Sequence, residues 1–325
     1  MQWNRILHWF IFLFFVFISY GAVHNPFSEN YIERLKEETL PATQIKNDEL
    51  YNKIVAEAKK YERPAQDAIV HKVWKAIPGY NGLVVDVEAS YKKMIKNGGK
   101  FSPDKLIFKE TRPKVHLDDL PPNPIYKGNP EKPMVTFLVN VAWGNEHLPQ
   151  MLKTMKKYDV KSTFFLDGSW VKKNPQLAKM IVEEGHEIGN HAYSHPDMRK
   201  LSKERIREEL EKTNEVIYAT LAVVPKYFAP PSGSFRQDVV EIAHELNMKT
   251  IMWSVDTVDW KSPPPEEMVQ NVLQKVHPGA MILMHPTAST AEALEQLILG
   301  IRGKGLQIGT VTQLFDEARI YQHVK

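Results

Sequence analysis

From Met134 to about residue 320 the sequence predicts an α/β fold, a parallel sheet covered by helices and closed, or nearly closed, into a distorted (β/α) barrel. Two observations predict it. Short apolar runs alternate with amphipathic helical patterns, and about seven such units follow one another. A doubly wound open sheet is the competing architecture. In a barrel, chemistry gathers at the C-terminal ends of the strands, which directs the search for functional residues.

The apolar runs at 134–139, 162–166, 187–190, 226–228, 250–254, 280–284 and 306–311 are the predicted strands. Helix ends are marked between them. Asn174 is the expected cap of a helix with Pro175 at its first position and Gly185 beyond its end. Ser202 caps a helix that turns Ile206, Leu210, Val216 and Ile217 inward. Thr290 is the expected cap of a helix carrying Leu294, Leu297, Ile298 and Ile301.

Upstream, Arg5 precedes a charge-free run over 9–18 that is rich in Phe, followed by the small residues Ser19 and Gly21. This is the pattern of an export signal over 1–23, cleaved after Gly21 or retained as an anchor, and the run is short for a spanning helix. Residues 24–46 show no period and read as a linker. A helix is predicted over 47–60, a turn at 78–82, a strand over 83–87 and a helix over 89–96 ending at Gly98 and Gly99. Residues 24–120 thus comprise the linker and a small α/β module without evident chemistry. Pro121, Pro122, Pro124, Pro130 and Pro133 place the boundary at 121–133, because proline this dense sustains neither a helix nor a central strand. The barrel domain is expected over 134–320. The chain of 325 residues has no cysteine, which excludes disulfides and thiol chemistry, and a net charge of +3 without a basic block, so nucleic acid is not an expected partner.

Four constellations fall at predicted strand ends. His191 and His195, four apart after an apolar strand, can share a metal through neutral imidazoles; surface or core histidines show the same spacing. Asp256 and Asp259 lie between Trp253 and Trp260, as partly desolvated carboxylates or as ordinary turn residues. His285 ends a buried strand, well placed as a general acid with Asp259 as its partner. Pro230 and Pro231 stiffen a loop.

In this order the segments resemble the polysaccharide deacetylases of carbohydrate esterase family 4, the NodB homology domain, from about Val135 to Phe315. The residues carrying the resemblance are 185–191 with His195-Pro196-Asp197-Met198, Thr163-Phe164-Phe165, Pro230-Pro231-Ser232-Gly233, Asp259-Trp260 and Leu283-Met284-His285. With the apolar leader and N-terminal module, the chain is similar in particular to the sporulation-associated branch of bacilli. The resemblance implies a distorted (β/α) barrel that removes N-acetyl groups from chitin oligomers or peptidoglycan. It implies His191 and His195 as ligands of a divalent, zinc-like metal and His285 as general acid tuned by Asp259. Pro230, Pro231 and Trp260 are the candidate substrate-binding residues; Trp253 and Trp260 can stack on sugar faces or only wall the core.

The first motif departs from the family. The Thr-Phe-Asp-Asp stretch aligns with Leu138-Val139-Asn140-Val141, so Asn140 stands at the base, Val141 replaces the third metal ligand, and Ala229 stands where an arginine is expected. An amide has no useful basicity and valine cannot ligate. The expectation is an impaired or inactive, glycan-binding protein outside the cytoplasm, at the cell wall or spore envelope, with metal bound weakly or not at all and membrane contact through the N-terminal segment. The alternative is a working metal-dependent N-deacetylase that substitutes Asn145, Glu146 or Asp167.

Overall fold

In the computed structural model, which describes residues 2–23 and 49–319, the chain forms two compact units. One combines the residues before 63 with 84–109; the other combines 63–83 with the chain from 110 onward. The linker expected over 24–46 lies outside the described residues. The first segments in order are α1 (Gln2–Val23), α2 (Glu49–Ala58), β1 (Ile69–His71), β2 (Lys75–Ile77), β3 (Gly82–Val85), α3 (Val87–Lys96) and β4 (Phe108–Thr111).

In the first unit, α1 covers the Phe-rich run as one helix whose residues 8–21 are exposed. Among the described residues no helix is long and apolar enough to cross a membrane. Leu50 and Ile54 of α2 meet Tyr91 and Met94 of α3 in a small core. The strand expected over 83–87 stops at Val85, because the Asp86 side chain accepts the Ala89 N–H at 3.1 Å and opens α3 two residues early. Gly98 and Gly99 follow its end with left-handed φ of 97° and 66°, as their sequence predicts.

The second unit continues with β5 (Met134–Val141), α4 (Leu148–Lys157), β6 (Thr163–Leu166), α5 (Gly168–Lys173), α6 (Pro175–Glu183), β7 (Glu187–Asn190), α7 (Lys203–Leu221) and β8 (Tyr227–Phe228). Then come α8 (Gln237–Glu245), β9 (Lys249–Thr250), β10 (Val255–Asp256), α9 (Pro265–Lys275), β11 (Met281–Met284), α10 (Ala288–Gly303), β12 (Gln307–Ile308) and α11 (Val311–Phe315). The strands pair in the order β10-β11-β5-β6-β7-β8-β9, all parallel, with β12 added to the start of β5. The sheet curls into a seven-stranded half-barrel, the barrel-type fold that the sequence predicts.

Every residue of β5 is buried, which is why the segment reads as a continuous apolar run rather than an alternating one. Val135, Phe137, Val139 and Val141 pack outward under the helices, while Met134 and Leu138 pack inward with Phe165, Ala229 and Met281. This two-residue period carries Asn140 to the inner face and Val141 to the outer one. At the N-terminal strand ends the inner cluster is plugged by Val311, Leu314 and Phe315 of α11, whose first N–H donates to Thr163 Oγ1 at 2.9 Å. The opposite end is left open.

Several expected boundaries move, each for a local reason. The run 250–254 is not one strand: β9 ends at Thr250, and a separate β10 forms at Val255–Asp256. The run 306–311 yields only β12, since a Thr310–Gln313 capping box starts α11 at Val311. Asn174 precedes α6 but makes no side-chain cap; its amide donates instead to the Trp170 carbonyl at 3.0 Å. Thr287, not Thr290, caps α10, accepting the Thr290 N–H at 3.1 Å. On α7, Ser202 caps as expected, and Glu209 and Thr213 join Ile206, Leu210 and Ile217 on the buried face. Within the proline-dense stretch, Ile125 pairs with the sheet edge, its N–H donating to Thr250 O at 2.9 Å and its carbonyl accepting Met252 N–H at 2.8 Å, and Lys127 bridges Ala280.

Candidate functional site

The open end of the half-barrel holds a cavity of about 460 Å³. Asn140, His191 and His285 line it from the ends of β5, β7 and β11, with His195, Ser232 and Asp256 from the adjoining loops and strand. Ala142, Trp143, Trp253, Trp260 and Leu283 complete the wall.

His191 is 1% exposed, and its Nδ1–H donates to the Ala229 carbonyl at 2.7 Å. Burial, reinforced by the neighbouring His195, pushes its imidazole down to about 3. The ring is therefore neutral near pH 7, and with Nδ1 protonated its Nε2 is left as a lone-pair donor. The His195 ring lies 5.2 Å away, centroid to centroid, at 70°. Ala192 and His195 take left-handed φ of 60° and 54°, and such strain in non-glycine residues persists only where neighbours impose it. Here the neighbour is Glu209, 3% exposed. Its Oε2 accepts the Tyr193 and Ser194 N–H groups at 2.9 and 2.8 Å, and its Oε1 accepts the Ser194 hydroxyl at 2.8 Å. Asn190 adds a second anchor, accepting the Ala192 N–H and donating to Leu210 O and Asn214 Oδ1 at 2.8–2.9 Å.

Across the cavity, fully buried Asp259 orients His285. Its Oδ1 meets His285 Nδ1 at 2.8 Å, and its Oδ2 accepts the His285 backbone N–H and, at 2.8 Å, the Thr290 hydroxyl. Val258, a β-branched residue at φ 55°, makes the sharp turn that delivers Asp259, its N–H held by Asp256 Oδ1 at 2.8 Å. The Trp143 ring stacks on His285 at 5.9 Å and 9°.

The expected site residues are thus brought together in part. Asn140, His191, His195, His285 and Trp260 line the cavity, and Asp259 stands behind His285. Val141 is not at the cavity: it is buried among the outward core residues of β5, and Ala142 lines the wall instead. Ala229 belongs to the inner core and serves through its carbonyl. Pro230 and Pro231 shape the loop, their carbonyls accepting Gly233 and Ser234 N–H at 2.9 Å, while Ser232 is its residue on the cavity.

The three proposed substitutes are engaged elsewhere. Asp167 caps α5 through Trp170 N–H at 2.8 Å, Asn145 accepts Trp170 Nε1–H and donates to Asn174, and the Glu146 side chain is 73% exposed beside His147. Among the described residues lining the cavity, Asp256 is the only acid. His191 and His195 can share a cation, but among the described residues no group of three or more His, Asp or Glu stands ready to hold one.

Glu209, Thr290 and Trp143 escaped sequence reasoning. Glu209 was detectable as a carboxylate on the inward stripe of Ile206 and Leu210. Thr290 was read as a cap. Trp143 follows a strand end and belongs to no motif of its own.

The cavity sits at the C-terminal strand ends of a parallel half-barrel, and comparison with known proteins gives the family. Residues 127–251 match the family model for polysaccharide deacetylase. The protein YlxY of Bacillus subtilis (strain 168) is 54% identical over 319 residues, 98% of this chain and 99% of YlxY. The peptidoglycan-N-acetylmuramic acid deacetylase PdaA of the same strain is 32% identical over 197 residues, 59% of this chain and 75% of PdaA. Among solved structures, wild-type BA3943, a family 4 carbohydrate esterase pseudoenzyme from Bacillus anthracis, superposes with a TM-score of 0.80 at 53% identity, covering 84% of this chain and 97% of that one. A BA3943 mutant described as having restored enzymatic activity gives 0.81 at 52% identity over 84% of this chain and all of that one. The chain belongs to the polysaccharide deacetylase family, carbohydrate esterase family 4.

Proposed function

We propose that this protein holds a cell-wall glycan, an N-acetylglucosamine polymer or peptidoglycan strand, in the cavity of a deacetylase barrel without hydrolysing it efficiently. The observation that carries this reading is Asn140: it lies 4% exposed on the cavity wall, its Oδ1 without a hydrogen-bond partner, where the resemblance puts the general base. An amide cannot take a proton from water near neutrality, and losing a general base costs about 10²–10⁴ in rate. The residues present do not fit the three-ligand metal site of the family. His191 and His195 supply two donors, among the described residues no carboxylate completes the set, and any zinc-like cation would be held weakly.

Support for the ligand class comes from relatives that are peptidoglycan-N-acetylglucosamine and N-acetylmuramic acid deacetylases, and support for impaired catalysis comes from the BA3943 pseudoenzyme. The Phe-rich α1 favours a place outside the cytoplasm, at the cell envelope or spore, with this helix as signal or membrane anchor. The test is zinc content, acetate release from N-acetylglucosamine oligomers and pull-down on purified peptidoglycan, all with one preparation. Peptidoglycan binding with no acetate release supports the proposal; no binding to any wall polymer contradicts it. Asp256 on the cavity wall favours a second reading, a deacetylase with a substitute carboxylate. Chelator-sensitive acetate release, lost in both His191→Ala and Asp256→Asn, would establish that reading instead.

A further inference from the structure

We propose that Trp143 is the sugar-stacking platform of the cavity and determines its affinity for N-acetylhexosamine chains, an inference that rests on the glycan-binding reading above. The residue stands two positions beyond the C-terminal end of β5, just after the stretch that departs from the family pattern. Three observations point to it.

The first is exposure. Trp143 is 47% exposed while lining the cavity, and a large apolar ring left in water beside a concave site is suited to cover the apolar face of a pyranose. The second is backing. One face of the indole is backed in part by the nearly parallel, offset His285 ring, centroids 5.9 Å apart, so the other face is the one presented. His285 is itself fixed by Asp259, so the platform is held before any ligand arrives, which reduces the ordering cost of binding.

The third is how the loop is built. Gly144 follows at φ 82°, and a Cβ there would lie 2.0 Å from the Pro286 carbonyl oxygen. Only glycine lets this loop close onto Pro286, and that closure brings Trp143 beside His285. In the sheet, β11 lies between β10 and β5. His285 is thus flanked by Trp143 from the β5 side and by Trp260, 59% exposed, from the β10 side. Two exposed indoles on either side of one oriented imidazole suit an extended chain of sugar rings better than a small acyl group alone.

The experiment is calorimetric titration of the full chain with penta-N-acetylchitopentaose, using wild type, Trp143→Ala and Trp143→Phe, each checked for an unchanged unfolding midpoint, and Gly144→Ala, checked to be folded at the titration temperature. The expected result is binding by wild type, a loss of about 3- to 10-fold in Trp143→Ala, and a smaller loss in Trp143→Phe, which keeps a flat ring. Gly144→Ala is expected to weaken binding as Trp143→Ala does, because it displaces the loop. Binding by wild type with no change in Trp143→Ala overturns the platform and leaves the glycan reading intact. Equal losses in Trp143→Ala and Trp143→Phe also overturn it, since then the flat ring contributes nothing. No binding by wild type overturns both.

Discussion

Asp259 grips His285 twice, through the imidazole Nδ1 at 2.8 Å and through the backbone N–H, and takes a third hydrogen bond from Thr290. The grip fixes the ring's direction and leaves its second nitrogen as the working atom on the cavity side.

Asp259→Asn places an NH₂ donor opposite groups that donate. The substitution is expected to destabilise the protein by about 2 kcal/mol, since a buried donor loses its acceptor. Urea unfolding at pH 7 measures it, and a midpoint equal to wild type would contradict the geometry.

Glu209 holds the loop that carries His191 and His195: its Oε2 accepts both the Tyr193 and Ser194 amides, and its Oε1 accepts the Ser194 hydroxyl. Glu209→Ala is expected to cost about 1–3 kcal/mol and to speed amide hydrogen exchange at Tyr193 and Ser194 in particular. Unchanged exchange at these two positions would show that the loop is held by other means.

Asn140 is predicted to be kept at a cost in stability. Its buried Oδ1 has no partner, so Asn140→Leu is expected to raise stability by about 1 kcal/mol. A drop of similar size would mean that the amide is satisfied.

His186 gives the fold a pH dependence away from the cavity. Its ring lies against Phe164, centroids 4.8 Å apart, and its Nδ1 accepts the Ser162 N–H at 3.2 Å. Burial, with Lys161 nearby, lowers its pKa from 6.5 to about 4. As pH falls the unfolded chain takes the proton first, so this contribution is full above 6.5 and is lost between 6.5 and 4. The loss is expected to reach roughly 3 kcal/mol, and His186→Asn, which keeps an acceptor for Ser162, is expected to remove most of it. Unfolding at pH 7 and pH 4.5 for both proteins checks this; equal pH dependence in the two would contradict it.

The barrel was legible because buried parallel strands are written as largely continuous apolar runs, and β5, β6 and β11 show one. His285 was legible because it follows such a run, the histidine pair because it follows a predicted strand end at a spacing of four, and Asp259 because it lies between Trp253 and Trp260. The two-residue strands were not: β10 holds only Val255 and Asp256, too short for periodicity to register. Val141 marks a different limit. Alignment placed it at the site, but side chains alternate along β5, and the same alternation that turns Asn140 inward buries Val141 under the helices. Trp143 and Glu209 act through stacking and through backbone amides distant in sequence, which no local pattern records.

The cavity carries an amide, not a carboxylate, at Asn140. The most direct test of the consequence is acetate release from N-acetylglucosamine oligomers by wild type and Asn140→Asp, measured side by side with added zinc. The account predicts no release by wild type and measurable release by the aspartate variant, further raised when Ala229→Arg is added. Zinc-dependent release by wild type that Asn140→Asp leaves unchanged would contradict it.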